Sequence, residues 1–337
     1  MNKIITFGEI ILRLSTNIGE RLYKTNQLTM HYGGAEANVS VSLANFGHDV
    51  YIVSKVPKNA LGNAAKFQLE SNGVHTDYLL KGGERLGTYY LETGVGERNA
   101  QVTYDRKYSS ISKLVADEID FDKIFEDATL FHVTGITPAL SKDLADLTLL
   151  LLKKAKEKGV ITSFDFNYRS KLWSQQEAAS TFKQFLPYVD ICFCGELDAI
   201  HFLGMDKLDE SIDEAERLKR YYEEIQSLYP NIKYLSSTFR EVISASMNRL
   251  QGNYYTNGVL YQSKVHQIDQ IVDRVGAGDA FAAGILHGVL KGMEPEKTVS
   301  FATAGSALKH TILGDSNSFS EDEIMAFCEK ESSKIIR

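Results

Sequence analysis

One aspartate follows two glycines where a loop runs into an apolar, helix-forming segment. Residues 272–281 read Val-Asp-Arg-Val-Gly-Ala-Gly-Asp-Ala-Phe, with Gly276 and Gly278 just before Asp279. Glycines let a backbone approach a ligand closely, and the free N–H groups at a helix start attract an anion such as a phosphoryl group in transfer. A carboxylate there can accept the proton of an attacking hydroxyl. The segment therefore predicts Asp279 as a general base beside an anion site formed by the backbone of Gly276, Ala277 and Gly278.

The same aspartate has a simpler interpretation, because Asp is a favoured N-cap residue of helices. A Gly-Ala-Gly-Asp string alone does not separate a cap from a catalytic base. The other motifs of the chain decide in favour of the base.

A second glycine pair opens a second predicted helix. Residues 33–38 read Gly-Gly-Ala-Glu-Ala-Asn, and an apolar helical repeat follows up to Gly47. The pair could serve only a turn and close packing. Read together with the Asp279 segment, Gly34 and Asn38 are predicted at a polar ligand, since an Asn side chain both donates and accepts hydrogen bonds.

Two segments bring arginines toward the same region. Residues 88–92 and 101–106 alternate as a β-hairpin that ends in Tyr104 and Arg106. An arginine can grip a carboxylate or a phosphate with two parallel hydrogen bonds. For a lone arginine, a solvated surface charge is the alternative.

The second segment ends a buried strand. Asp165, Asn167 and Arg169 are spaced two apart, so a strand would point all three side chains the same way. Arg169 alone could equally be a surface ion-pair partner.

The composition excludes several classes of function. The chain has 337 residues, 43% hydrophobic and 24% charged, with a net charge of −7. An acidic chain without Lys/Arg runs is not expected to bind nucleic acid or an anionic membrane. The three cysteines and eight histidines show no metal-ligand spacing, and no apolar run reaches membrane-spanning length. A cytoplasmic protein without a direct protein-held metal is expected.

The order of predicted elements indicates an α/β fold. From residue 130, apolar strands alternate with helices, which predicts a doubly wound, mostly parallel sheet flanked by helices over one domain, 1–337. Strand-like segments from about 10–32 and 86–108 leave this rhythm and predict a small β-sheet lid. Ligands of such sheets bind beyond the carboxyl ends of the strands. Further strands are predicted at the following segments: 74–80, 234–237, 242–248 and 258–266.

The motifs together resemble a known family. Asp-Arg-Val-Gly-Ala-Gly-Asp-Ala-Phe-Ala at 273–282, and Gly-Gly-Ala-x-Ala-Asn followed by Leu-Ala-Asn-Phe-Gly at 33–47, resemble the two signatures of the ribokinase-like (PfkB) carbohydrate kinases. Gly-Thr-Tyr at 87–89, Tyr-x-Arg at 104–106, Asp-x-Asn-x-Arg at 165–169 and Leu-Lys-His-Thr-Ile-Leu-Gly-Asp at 308–315 resemble the 2-dehydro-3-deoxygluconate kinase branch. The likeness covers nearly the whole chain.

The resemblance implies roles for named positions. It places the following residues around a sugar acid: Gly34, Asn38, Tyr89, Tyr104, Arg106, Arg169, Asp279 and Asp315. It places the following toward the nucleotide phosphates: Asn167, Arg169, Gly276 and Gly278. It implies ATP and Mg²⁺ as cofactors, leaves K⁺ open, and points to a homo-oligomer formed through the β-lid.

Two stretches depart from the family pattern. At residues 236–240, which read Ser-Ser-Thr-Phe-Arg, many members have a Lys and a Gly at the nucleotide edge, and Thr238 and Arg240 are the candidates for that side here. Where many members have Asn-x-x-Glu near the metal, this chain has Gly195-Glu196-Leu197-Asp198. No residue is therefore predicted as a direct metal ligand.

The function expected from these residues is ATP-dependent phosphorylation of the terminal hydroxyl of 2-keto-3-deoxygluconate. A buried sugar carboxylate needs a cationic partner, which Arg106 would supply. The alternatives are a neutral-sugar kinase of the fructokinase or ribokinase type and a non-catalytic sugar-binding regulator. A nicotinamide-dependent dehydrogenase is disfavoured because no Gly-x-Gly-x-x-Gly follows the first strand.

Overall fold

The computed structural model describes residues 2–329. Two sheets organise this part of the chain, and their strands alternate with helices. The strands are β1 (Lys3–Phe7), β2 (Ile11–Ser15), β3 (Thr29–Gly33), β4 (Asp49–Val56), β5 (Leu79–Lys81), β6 (Gly87–Glu92), β7 (Gln101–Asp105), β8 (Ala128–Thr134), β9 (Ile161–Asp165), β10 (Ile191–Phe193), β11 (Tyr234–Ser244), β12 (Met247–Thr256), β13 (Val259–Gln262) and β14 (His266–Asp269). The helices are α1 (Ala35–Asn45), α2 (Ala60–Ser71), α3 (Phe121–Phe125), α4 (Lys142–Glu157), α5 (Gln175–Phe185), α6 (Glu196–Asp198), α7 (Glu214–Leu228), α8 (Ala277–Lys291), α9 (Pro295–Lys309) and α10 (Glu321–Glu329).

The large sheet is mostly parallel. Its order is β13-β12-β11-β10-β9-β8-β1-β4-β5, and β14 pairs with β12. The pairs from β5 across to β11 are parallel, whereas β12 pairs with β11, β13 and β14 in antiparallel fashion. The predicted doubly wound α/β fold is confirmed.

Helices cover both faces of this sheet because neighbouring strand residues point to opposite sides. Leu130 faces a core cluster that includes residues of α1, α8 and α9, whereas Phe131 faces a second cluster that includes residues of α4, α5 and α7. The helices α8 and α9 lie very close, since a Cβ at Gly284 would lie 2.5 Å from Cα of Ala302. This contact sets the direction in which α8 presents its N-terminus.

A smaller sheet lies over one edge of the fold. Its order is β3-β2-β6-β7, in which β2 and β6 are parallel and the outer pairs are antiparallel. We call these four strands the lid. It is built from the segments that were expected to form it.

Three expected strands differ from the structure. Of residues 74–80, His75 forms only an isolated bridge with Tyr51, and a short strand begins at Leu79 after a turn that joins Leu79 N–H to the carbonyl of Thr76. The segment 258–266 forms β13 and ends at the start of β14, with both strands paired to β12.

The third difference is a long hairpin. Residues 242–248 were predicted as a separate strand, but they hold the end of β11, a turn at 245–246 and the start of β12. The turn has the sequence Ala-Ser and lacks the glycine or proline that usually marks one. Polar residues such as Arg240 and Glu241 suggested that the strand ends before them. The antiparallel pairing with β12 nevertheless extends β11 to Ser244.

Candidate active site

A cavity of about 940 Å³ lies between the carboxyl ends of the parallel strands and the lid. It brings together almost every predicted site residue: Gly34, Asn38, Tyr89, Tyr104, Arg106, Asn167, Arg169, Thr238, Arg240, Gly276, Gly278, Asp279 and Asp315. Ala277 is buried beneath them. These residues span most of the chain, so only the fold makes them neighbours.

Asp279 is the third residue of α8 and lies in the first turn of the helix. The N-cap is Gly276, which adopts a left-handed conformation with φ of 79°. The cap interpretation of Asp279 is therefore wrong. Any Cβ at Gly276 would also overlap the carbonyl oxygen of Asp315, so glycine is required at this position for two reasons.

The carboxylate of Asp279 is held by Asn38. The Asn38 Nδ2 donates to Oδ2 of Asp279 at 2.7 Å, and Ser316 Oγ donates to Asn38 Oδ1 at 3.2 Å. Desolvation raises the pKa of Asp279 to about 6, while the Asn38 hydrogen bond and the Arg169 charge act in the opposite direction. A carboxylate with a pKa near 6 suits proton abstraction close to neutral pH.

Asp165 and Asp198 are among the other acidic residues that line this cavity, and both hold protons more tightly than usual. Burial and the Asp279 and Asp198 charges raise the pKa of Asp165 to about 8. Burial raises the pKa of Asp198 to about 6, although this carboxylate accepts the N–H of Gly195 at 2.8 Å. Acidic side chains are thus gathered beside the helix N-terminus, and burial makes each of them hold its proton more tightly than a solvated carboxylate would.

Arg169 reaches the cavity from an exposed position. The expectation that strand alternation aligns it with Asp165 is wrong, because β9 ends at Asp165 and Asn167 has a φ of 34°. All three residues nevertheless line the cavity. Arg169 donates to the carbonyls of Asn167 and Tyr168, which leaves the rest of its guanidinium available to a ligand.

Arg106 is already paired with an acid of the protein. Its Nε and Nη2 both donate to Oε2 of Glu9, with the Nε contact at 2.8 Å, and both residues are buried. The guanidinium also lies over the ring of Tyr104, 5.4 Å from its centroid. A substrate carboxylate would therefore share Arg106 with Glu9.

Asp315 is likewise engaged on both oxygens. Arg13 donates to Oδ1 at 2.7 Å, and the hydroxyl of Tyr89 donates to Oδ2 at 2.7 Å. A second ion pair joins Arg13 to Asp273 at 2.7 Å. Tyr89 and Asp315 therefore lie at the cavity wall as parts of one buried network.

Thr238 and Arg240 mark a passage to a neighbouring open cavity of about 930 Å³. Its wall includes Glu196, His201 and Arg217. Thr238 and Arg240 were expected on the nucleotide side, and both line the two cavities.

The sequence interpretation missed Glu9, Arg13 and Asp273 as parts of this site. Arg13 could have been noticed, because it stands alone in the apolar strand Ile11-Leu12-Arg13-Leu14. A charge on the inner face of such a strand needs a buried partner. Its partners lie 260 and 302 residues further along the chain, beyond any local pattern.

Two structural features are absent from the part of the chain that the structure describes. None of the helices within residues 2–329 combines the length and apolarity that crossing a membrane requires. Over the same residues, no group of three or more His, Cys, Asp or Glu side chains is arranged to hold a metal ion.

Known proteins resemble the chain over nearly its full length. The model of the pfkB family carbohydrate kinases matches residues 1–322. A 2-dehydro-3-deoxygalactonokinase of Haloferax volcanii is 33% identical over 96% of this chain and 95% of its own. A 2-dehydro-3-deoxygluconokinase of Bacillus subtilis is 30% identical over 96% of this chain and 94% of its own.

The solved structures agree in fold. The 2-dehydro-3-deoxygluconokinase of Thermotoga maritima superposes with a TM-score of 0.94 at 42% identity, covering 98% of this chain and all of its own. With the family model, the relatives and the two signature segments in agreement, the chain belongs to the pfkB family of carbohydrate kinases.

Proposed function

We propose that the protein is an ATP-dependent sugar-acid kinase that phosphorylates the terminal hydroxyl of 2-keto-3-deoxygluconate. The observation that carries this proposal is the position of Asp279, at the N-terminal turn of α8 and in one cavity with Arg106 and Arg169. The names of the relatives, which are sugar-acid kinases, support the substrate class.

The acid end of the substrate would bind near Arg106. Nε and Nη2 of Arg106 donate to Glu9, whereas Nη1 donates to no protein atom within residues 2–329. A guanidinium carries five N–H donors, so it can hold Glu9 and a substrate carboxylate at once. Tyr104, whose ring lies under the guanidinium, would close the other side of the carboxylate.

The reacting end would lie at Asp279. The carboxylate accepts the proton of the terminal hydroxyl as the oxygen attacks the γ-phosphate of ATP. The N–H groups of Gly278 and Asp279 belong to the first turn of α8 and have no partner one turn earlier. They would stabilise the charge that builds on the phosphoryl oxygens, together with Arg169.

Mg²⁺ fits two neighbouring acidic side chains of the cavity. Asp165 and Asp198, whose pKa values are raised, are hard oxygen donors of the type that this ion prefers. They would hold it together with phosphates and water, since two side chains do not make a full cage. When bound, the ion neutralises charge on the β- and γ-phosphates.

A neutral-sugar kinase is the second candidate, and one contact favours it. The Glu9–Arg106 ion pair already neutralises the arginine, which would leave the site suited to a sugar without a carboxylate. A fructokinase of Zea mays is 27% identical to the chain. The substrate panel below separates the two.

The chain as a whole is proposed to work as one α/β domain with the lid inserted in it. The outward face of the lid includes Met30, which is 49% exposed. A homo-oligomer formed through this face stays a prediction.

The substrate class can be tested with purified protein, ATP and Mg²⁺ in a coupled assay of ADP release. We expect kcat/KM to be highest for 2-keto-3-deoxygluconate or its galactonate epimer, and far lower for gluconate, fructose and ribose. Preference for fructose or ribose would establish the neutral-sugar alternative. If none of these five compounds is phosphorylated, the remaining alternative is a non-catalytic sugar-binding regulator.

The substitution Asp279→Asn removes the base without changing the size of the side chain. We expect kcat to fall by about 10²–10⁴-fold, the usual contribution of a general base, while calorimetry still detects sugar-acid binding. Asp143→Asn is the matched control, because Asp143 is also an acid in the first turn of a helix but is exposed on α4. Near-native turnover by Asp279→Asn would exclude it as the base.

Arg106→Ala should weaken binding of the sugar acid specifically. Losing a hydrogen bond to a charged group costs about 1.5–3 kcal/mol, so KM for the sugar acid should rise roughly 10- to 150-fold with little change for ATP. Arg85→Ala, which breaks the exposed pair with Asp105 in the lid, is the control. To avoid an unpaired buried Glu9, Arg106→Ala is also measured with Glu9→Gln. Equal rises in KM for the sugar acid and for ATP would show that Arg106 does not bind the carboxylate of the sugar acid.

The pH profile tests the environment of Asp279. Because the base must be deprotonated, kcat/KM should fall below pH 6, with an apparent pKa of about 6. Asn38 stabilises the charged form, so Asn38→Ala should raise that apparent pKa. Asn45→Ala, which removes an Asn from the other end of α1, should leave it unchanged. If the fall of kcat/KM at low pH keeps the same apparent pKa in Asn38→Ala, that fall reports the titration of a group other than Asp279.

A further inference from the structure

Lys309 is a fully buried lysine next to the catalytic loop, and the reaction proposed above gives it no role. It is the last residue of α9, with 0% of its surface exposed. Within residues 2–329 no other lysine is buried. Lysines are almost never fully buried unless their charge is paired, so the position calls for an explanation.

The ammonium group bonds to carbonyl oxygens rather than to a carboxylate. Lys309 Nζ donates to the carbonyl of Asp273 at 3.4 Å and to the carbonyl of Ile312 at 3.4 Å. Converging carbonyl oxygens are also the ligands that proteins use for monovalent cations. Lys309 thus places a covalently attached cation between two backbone carbonyl oxygens.

These two carbonyls belong to the two segments that carry site acids. Asp273 begins the loop that leads to Asp279, and Ile312 lies in the turn that leads to Asp315. The segments are already interlocked, since the N–H of Gly314 donates to Asp273 Oδ2 at 3.1 Å. A shift of either segment would therefore move both acids.

The charges around Lys309 balance it. The carboxylates of Asp273, Asp315 and Asp279 favour the charged lysine, whereas Arg13 opposes it. Burial lowers the pKa of Lys309, and the acids counteract that effect. Arg13 and Lys309 together balance the two negative charges of Asp273 and Asp315. These acids therefore need no cation from solution.

We infer that Lys309 is a positioning residue whose ammonium acts as a built-in monovalent cation. It fixes the loop 273–279 to the turn 309–315, so that phosphoryl transfer needs no added K⁺. The inference rests on the proposed function for its kinetic part. A loop misplaced by about 1 Å can lower a rate by about 10²-fold, which sets the scale of the effect.

The test compares wild type, Lys309→Ala and Lys309→Met in KCl, NH₄Cl and choline chloride at equal ionic strength. Wild type should show the same kcat in all three salts. Lys309→Ala leaves a space lined by carbonyl oxygens, so kcat should fall by about 10²-fold in choline and recover in part with K⁺ or NH₄⁺. Lys309→Met fills the space without a charge and should stay slow in every salt. Lys291→Ala, at the last residue of α8 and half-exposed, should match wild type.

Thermal unfolding separates this inference from the proposed function. Lys309→Ala should unfold at a higher temperature in KCl than in choline, whereas wild type should not, whatever the substrate is. If wild type phosphorylates nothing in the panel, the proposed function fails, and this salt effect still decides the role of Lys309. A wild type that requires K⁺, a Lys309→Met variant with native kcat, or a Lys309→Ala variant that shows no salt effect or folds in neither salt would overturn the inference.

Discussion

Two buried ion pairs of Arg13 hold the lid, the loop 273–279 and the turn 309–315 in one arrangement. Arg13 lies on β2 of the lid and contacts Asp273 and Asp315, each at 2.7 Å. All three side chains are at most 4% exposed. Removing one partner of such a pair leaves a buried, uncompensated charge, which destabilises a fold by about 3–5 kcal/mol. The strand and the two loops can therefore be described as one rigid unit.

This unit restricts where the lid can move. Displacing β2 would break the buried pairs of Arg13. Displacing β7 would break weaker, exposed contacts, such as the 3.1 Å bond from Lys171 Nζ to the carbonyl of Val102. The tip of the β6–β7 hairpin is joined to the β11–β12 turn by the N–H of Ala245 and the carbonyl of Gly96. Opening is thus easier along the middle of the β6–β7 hairpin than at β2 or at Arg106, whose pair with Glu9 is also buried.

Much of the fold and several site residues could be predicted because their signals are local. The glycines before Asp279 and the alternation that forms β6 and β7 need no distant partner to be recognised. The turn of the long β11–β12 hairpin could not be predicted, because pairing across two strands outweighs its weak turn residues. Arg13 was missed for a related reason. Its apolar neighbours identify a strand, but only the folded chain reveals that it points inward at two acids.

The departure at residues 195–198 can be understood from the same balance of charges. Asp198 replaces the longer Glu of the family pattern, and one of its oxygens accepts the N–H of Gly195. That bond fixes the carboxylate at the start of the short helix α6 and points it along the cavity wall beside Asp165. Two carboxylates held close together favour protonation over charge unless a cation joins them. The cavity therefore gathers acidic side chains beside the start of α8, and a cation that joined Asp165 and Asp198 would favour their charged forms.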